Sequence, residues 1–116
     1  MPVRLRLHGD RLRLEQALGN LVDNALRYGA GPVALDAHRV DGQVELHVRD
    51  EGPGFPEEFL PRAFERFSRA DAGRNGAGAG LGLAIVGAVA AAHAGGAFAR
   101  NRARSGADVW ITLPLS

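Results

Sequence analysis

Residues 3–8 (VRLRLH) alternate apolar and polar side chains, the period of a half-buried strand. The period then lengthens. Leu14, Leu18, Leu21, Val22 and Ala25 recur at the spacing of a core-facing helical stripe, which predicts a helix with Asp10 as N-cap running to about Tyr28. Gly29, Gly31 and Pro32 end it. Strands are expected at roughly 33–40 and 43–49, joined by the hairpin dipeptide Asp41-Gly42. The turn-rich stretch DEGPGFP (50–56) precedes a short helix expected around 57–61, and FERF (64–67) is an amphipathic patch. Residues 68–80 (SRADAGRNGAGAG) offer almost nothing to a core and read as a loop. A second helix, apolar on most sides, is expected from Leu81 to about Ala94. Residues 97–101 and 107–113 then pair as a hairpin, with Val109, Ile111 and Leu113 pointing inward.

Strands and helices of these lengths predict an α/β two-layer sandwich, a mixed β-sheet covered on one face by helices. No repeat or domain boundary interrupts residues 1–116, so one domain is expected. Hydrophobic content of 46% and charged content of 23% are those of a soluble globular protein. No apolar run is long enough to cross a bilayer, and the opening MPVRLRLHGD is no signal peptide. With no cysteine, disulfides and thiolate metal sites are excluded. A formal charge of +1 argues against a protein built to hold nucleic acid. All 14 basic residues are arginine, so any cationic phosphate contact falls to arginine. The histidines, His8, His38, His47 and His93, show no metal-ligand spacing; His93 ends a helix, where a cation suits the dipole.

Three stretches carry candidate chemistry. In NLVDNALRYG (20–29), Asn20, Asn24, Arg27 and Tyr28 gather on a face beside the apolar stripe. Asn24 has an amide oxygen suited to Mg²⁺, Arg27 a charge suited to phosphate, and Tyr28 a ring suited to a base. Taken singly, each is more often an ordinary boundary residue. In DEGPG (50–54), Asp50 is an acceptor-only carboxylate, matching the exocyclic amine of adenine and not the carbonyl of guanine. Gly52 and Gly54 permit positive φ and close approach to a flat ring, although Asp and Gly also simply end strands. In GAGLGL (78–83), Gly78, Gly80 and Gly82 lie around the start of the second helix, whose free N–H groups make an anion site. The stretch is neither the dinucleotide fingerprint nor a P-loop, and a plain linker before a helix remains open.

Taken in order, NLVDNALRY, DEGPG, FERF and GAGLGL resemble the N box, first glycine box, F box and second glycine box of sensor histidine kinases. The resemblance, to the catalytic and ATP-binding domain of the gyrase, chaperone, kinase and mismatch-repair superfamily, covers about Asp10 to Leu115. It implies the Bergerat ATP-binding fold, with ATP and Mg²⁺ as cofactors. Asn24 matches the magnesium-ligating asparagine and Asp50 the adenine-selecting carboxylate; Gly52 and Gly54 shape the base pocket. Gly78, Gly80, Leu81 and Gly82 lie in the phosphate-contacting segment, Arg27 at a basic phosphate contact and Tyr28 beside the nucleotide. Arg66 and Arg74 are candidates for the γ-phosphate, and about 68–79 corresponds to the ATP lid.

Asn20 stands where ATP-hydrolysing members of the superfamily carry a glutamate base. An amide cannot take a proton from water, which implies a site that saves the γ-phosphoryl group for a histidine. No phosphoacceptor segment is recognisable, so the resemblance implies a catalytic module acting on phosphoacceptor helices elsewhere, with a response regulator downstream and a cytoplasmic location. A monomer is expected, without nucleic acid or membrane contact of its own. Ala77, Ala79 and Gly29 depart from the family's usual glycine, threonine and hydroxyl residue. The alternatives are a regulatory pseudokinase that binds nucleotide without transfer, and an anti-sigma-factor serine kinase of the same fold.

Overall fold

The computed structural model describes residues 9–65 and 79–115; the strand expected at 3–8 and most of the loop at 68–80 lie outside them. Helix α1 spans Arg11–Tyr28 and α2 spans Ala79–Ala92. The strands are β1 (Ala34–Val40), β2 (Gln43–Arg49), β3 (Gly96–Asn101) and β4 (Ala107–Pro114). They form one sheet in the order β1-β2-β4-β3.

Every strand pair among the described residues is antiparallel, where a mixed sheet was expected. Each hairpin pairs its own strands antiparallel, and the passage through α2 and β3 returns β4 beside β2 in the opposite direction. At the first hairpin Val40 faces Gln43 across a two-residue turn. Asp41, not Gly42, takes the positive φ, at 56°. The short helix expected at 57–61 is instead a 3₁₀ turn at Leu60–Arg62, with Pro61 near its start. Helix α2 begins two residues before Leu81, so Gly80 is already in its first turn, and it stops before His93.

Asp10 caps α1, its carboxylate accepting from the Arg13 N–H at 3.2 Å. The most buried line of α1 is Ala17, Leu21 and Ala25, with Leu14, Leu18 and Val22 partly buried beside it. Two of those three are alanines, which let α2 approach with Leu83, Val86 and Ala90. Below the helices lie Val44 and Val48 of β2 and Val109, Ile111 and Leu113 of β4, the inward alternation expected of the last strand. Full burial of each such side chain contributes about 1.5–3 kcal/mol. Phe64 packs against Gly87 of α2, 3.1 Å from where a Cβ would stand, so part of FERF is a wall of the core.

The sheet's other face carries a polar and aromatic layer. His47 is 6% exposed; its Nδ1 lies 2.7 Å from Asp108 and its Nε2 2.9 Å from Glu45. Asp108 also accepts from Arg49 at 3.3 Å and pairs with Arg100. The His47 ring stacks on Trp110, and Trp110 on Phe98. Of this layer, His47 and Asp108 are buried by the pairing of the strands around them.

Candidate functional site

The asparagine face of α1 opens onto a cavity of about 110 Å³ lined by Asn20, Asp23, Asn24, Arg27, Tyr28, Gly82 and Leu83. One turn separates Asn20 from Asn24, and Arg27 and Tyr28 follow within the next turn, so the helix period alone brings the four together. The first turn of α2 forms the opposite wall. Asn20 Nδ2 donates to the Gly82 carbonyl at 3.4 Å, tying the two walls. Nothing lies within 4 Å of where a Cβ would stand on Gly82, so the space above this helix start is open. Arg27 is held sideways by Asp23, Nε to Oδ2 at 3.1 Å, and its side chain is otherwise largely exposed. Tyr28 is 42% exposed at the rim.

Asp50 is not among the residues lining that cavity, but it adjoins the same helix end. It is 5% exposed, and its Oδ1 accepts the Gly52 N–H at 2.8 Å. Among the described residues that is the carboxylate's one hydrogen bond, which leaves Oδ2 an unpaired buried acceptor. The link to α1 runs through Gly29, where a Cβ would overlap the Asp50 carboxyl group. The missing hydroxyl side chain at Gly29 is therefore space that Asp50 fills.

The two glycines of DEGPG act differently from each other. Gly54 has φ 79°, as expected. Gly52 does not take positive φ; it is needed for close approach, since a Cβ would stand 2.7 Å from the Ala30 nitrogen. The Glu51 N–H donates to the Ala30 carbonyl at 2.9 Å, fastening the loop to the segment after α1.

The hairpin of β3 and β4 was expected, but its turn's grip on the DEGPG loop was not. Arg102 Nη1 donates to the Asp50 carbonyl at 2.8 Å, and the Asp50 N–H donates to Ala107 at 3.0 Å. Asn101 and Phe55 exchange hydrogen bonds at 2.7 and 2.8 Å. Gly106, with φ 96°, lets the chain pass where a Cβ would overlap the Asp50 carbonyl. The one signal in the sequence was that glycine, Gly106, in the turn between the two strands.

Gly80 and Leu81 sit in the first turn of α2. Arg66, Arg74 and Gly78, with nearly all of the expected lid, lie outside the described residues. At His93, Nε2 accepts the Asp10 N–H at 2.9 Å and Nδ1 lies 2.8 Å from the Val89 carbonyl, so both ring nitrogens are engaged by backbone groups.

The residues present suit a nucleotide. A buried carboxylate oxygen awaits a donor, and an open helix start faces an asparagine amide across a cleft. No group of three or more His, Asp or Glu side chains is placed to hold a metal among the described residues. Asn24, in the cavity lining, carries an amide oxygen, the kind of ligand that Mg²⁺ takes together with phosphate oxygens.

Helices on one face of an antiparallel sheet, with a polar cleft between them, make this an α/β sandwich like the ATP-binding domains of histidine kinases. The chain belongs to the family of histidine kinase-, DNA gyrase B- and HSP90-like ATPases, whose model matches residues 9–116. It is 52% identical over 101 residues to a sensor histidine kinase component, HK1, of Mycobacterium tuberculosis, covering 87% of this chain and 60% of that relative. The fold superposes on the mycobacterial sensor histidine kinase MprB with a TM-score of 0.84 and 34% identity, over 94% of this chain and 76% of that one. It superposes on full-length ShkA, solved in complex with AMPPNP, with a TM-score of 0.77 and 39% identity, over 90% of this chain and 22% of that one. No helix among the described residues is long and apolar enough to cross a membrane.

Proposed function

We propose that this chain is the catalytic domain of a protein histidine kinase in two-component signalling. It binds ATP with Mg²⁺ and transfers the γ-phosphoryl group to a histidine on a separate phosphoacceptor domain. The observation that carries this reading is Asp50. It is a buried carboxylate with one oxygen held by Gly52 and the other left for a donor such as the adenine amine. At the rim of the cleft Tyr28 offers its ring to the nucleotide, and Gly54 gives the base pocket its turn. Asn24 would hold Mg²⁺, and Gly80, Leu81 and Gly82, in the first turn of α2, would present its amides to the phosphates. Arg27, Arg66 and Arg74 supply positive charge. Mg²⁺ when bound neutralises phosphate charge; the protein's own share is to position and to exclude competing acceptors.

Asn20 supports transfer over hydrolysis. Its amide donates to Gly82 and has no basic site with which to activate water. The partners that follow are the phosphoacceptor helices of a parent kinase and, downstream, a response regulator. ATP as substrate points to the cytoplasmic side of the cell. The AMPPNP complex of ShkA supports the choice of nucleotide.

The test is to mix the protein with γ-labelled ATP and the separately produced phosphoacceptor domain of a close relative. Acid-labile, alkali-stable label on the acceptor histidine, absent when that histidine is replaced by alanine, is the expected result. ATP binding without transfer to any phosphoacceptor domain offered would leave a binding module in place of a kinase.

A further inference from the structure

The loop that carries Asp50 is gripped from outside by the β3–β4 turn. We propose that Arg102, with Asn101 beside it, is a positioning residue that sets base selectivity by fixing the Asp50 carboxylate. The inference rests on the adenine-reading role given to Asp50 above.

Arg102 Nη1 donates to the Asp50 carbonyl at 2.8 Å, a bond made stronger by the charge on the donor. The Asp50 N–H is held by the Ala107 carbonyl at 3.0 Å. Both sides of the residue are thus tied to one turn. Arg102 itself is oriented because its own N–H donates to the Gly106 carbonyl at 2.9 Å, closing that turn.

Fixing the Asp50 carbonyl fixes the plane of the peptide that leads into Glu51. That segment aims the Gly52 N–H at Asp50 Oδ1, 2.8 Å away, and the bond sets the rotation of the carboxylate. Oδ2 then points in one direction, as an adenine amine requires. On the far side of the loop, Asn101 accepts from the Phe55 N–H and donates to the Phe55 carbonyl, so the stretch cannot slide. Ser105 adds a longer bond, at 3.4 Å, to the Glu51 carbonyl. Among the described residues Arg102 makes no ion pair with a carboxylate, so its charge is spent on this carbonyl. The cleft at Asn24 and Gly82, which would take the phosphates, touches none of these residues.

The test compares binding of AMPPNP and its guanine counterpart, each with Mg²⁺, to the wild type, Arg102→Ala and Arg102→Lys, with thermal unfolding of each. Arg102→Ala is expected to weaken AMPPNP binding about tenfold, as loss of one charge-assisted bond allows, while leaving the weak guanine binding unchanged. The adenine-to-guanine ratio would fall by the same factor. Arg102→Lys, which keeps a charged donor, is expected to restore most of the ratio, and it carries the test if the alanine variant does not fold. An unchanged ratio in Arg102→Ala, an equal loss for both nucleotides, or a lysine variant no more selective than alanine would overturn the inference while leaving Asp50 as the base reader. A folded wild type that binds neither nucleotide would overturn the reading of the site, and this inference with it.

Discussion

Asn20 Nδ2 donates to the carbonyl oxygen of Gly82 at 3.4 Å, so a side chain of α1 ties down the first turn of α2. Replacing Asn20 by aspartate puts an acceptor against an acceptor at a half-buried position. Leaving such a group unsatisfied costs about 1–3 kcal/mol, and the helix start must move to relieve it. Calorimetric titration of Asn20→Asp with AMPPNP is expected to show affinity lower by roughly tenfold. In the wild type, steady-state release of phosphate from ATP is expected to stay slow, and rapid multiple turnover would contradict the role given to this amide.

Gly52 offers a separate handle on the base end of the site. A methyl group there meets the backbone nitrogen of Ala30 at 2.7 Å and the backbone of Gly29 at 2.8 Å, neither of which is the end of a flexible side chain. Gly52→Ala is expected to cost about 1–3 kcal/mol by overpacking, read as a lower denaturation midpoint in urea. It is also expected to weaken nucleotide binding, since the same N–H orients Asp50.

On the far side of the sheet, Asp108 is fully buried and serves His47, Arg49 and Arg100 at once. Both ring nitrogens of His47 lie within hydrogen-bond distance of carboxylates, Asp108 on one side and Glu45 on the other. Asp108→Asn is expected to cost about 3–5 kcal/mol, the usual result of removing one partner from a buried ion pair. Trp110, stacked on His47, is the only tryptophan, and its fluorescence reports the unfolding directly.

The acid side of the stability profile follows from Asp36. Its hydrogen bond to Arg49, reinforced by the charges of His38 and Arg49 and opposed by desolvation, holds its carboxyl below the ordinary value of 3.8. A folded-state value below the unfolded one makes the contribution complete above the ordinary carboxylate range, and it is lost as pH falls through the lowered value. The gap between urea midpoints of the wild type and Asp36→Asn is expected to hold from neutral pH down to the ordinary carboxylate range and to close only as pH falls below it. A gap that widens on acidification would contradict the assignment.

Much of this architecture was legible in the chain because it rests on local periods. The two-residue turn at Asp41-Gly42 fixed the β1–β2 pairing, and the helix period gathered Asn20, Asn24, Arg27 and Tyr28 on one cleft. What escaped was non-local. His47 and Asp108 lie 61 positions apart, and alternation marks both only as polar. Arg102 reads as one arginine among many until the turn folds back on Asp50. Gly52 was credited with positive φ because glycine permits it; the structure uses the missing side chain instead. His93 was read from its own helix end, and its bond to the Asp10 N–H, 83 positions away, left no local sign.

The most direct measurement is calorimetric titration of the protein with AMPPNP and with its guanine counterpart, both with Mg²⁺, beside an Asp50→Asn variant. Micromolar to sub-millimolar binding of the adenine ligand, at least tenfold weaker binding of the guanine one, and a marked loss in Asp50→Asn are expected from a buried carboxylate that reads an amine. Equal affinity for the two bases, or an Asp50→Asn variant as selective as the wild type, would contradict it.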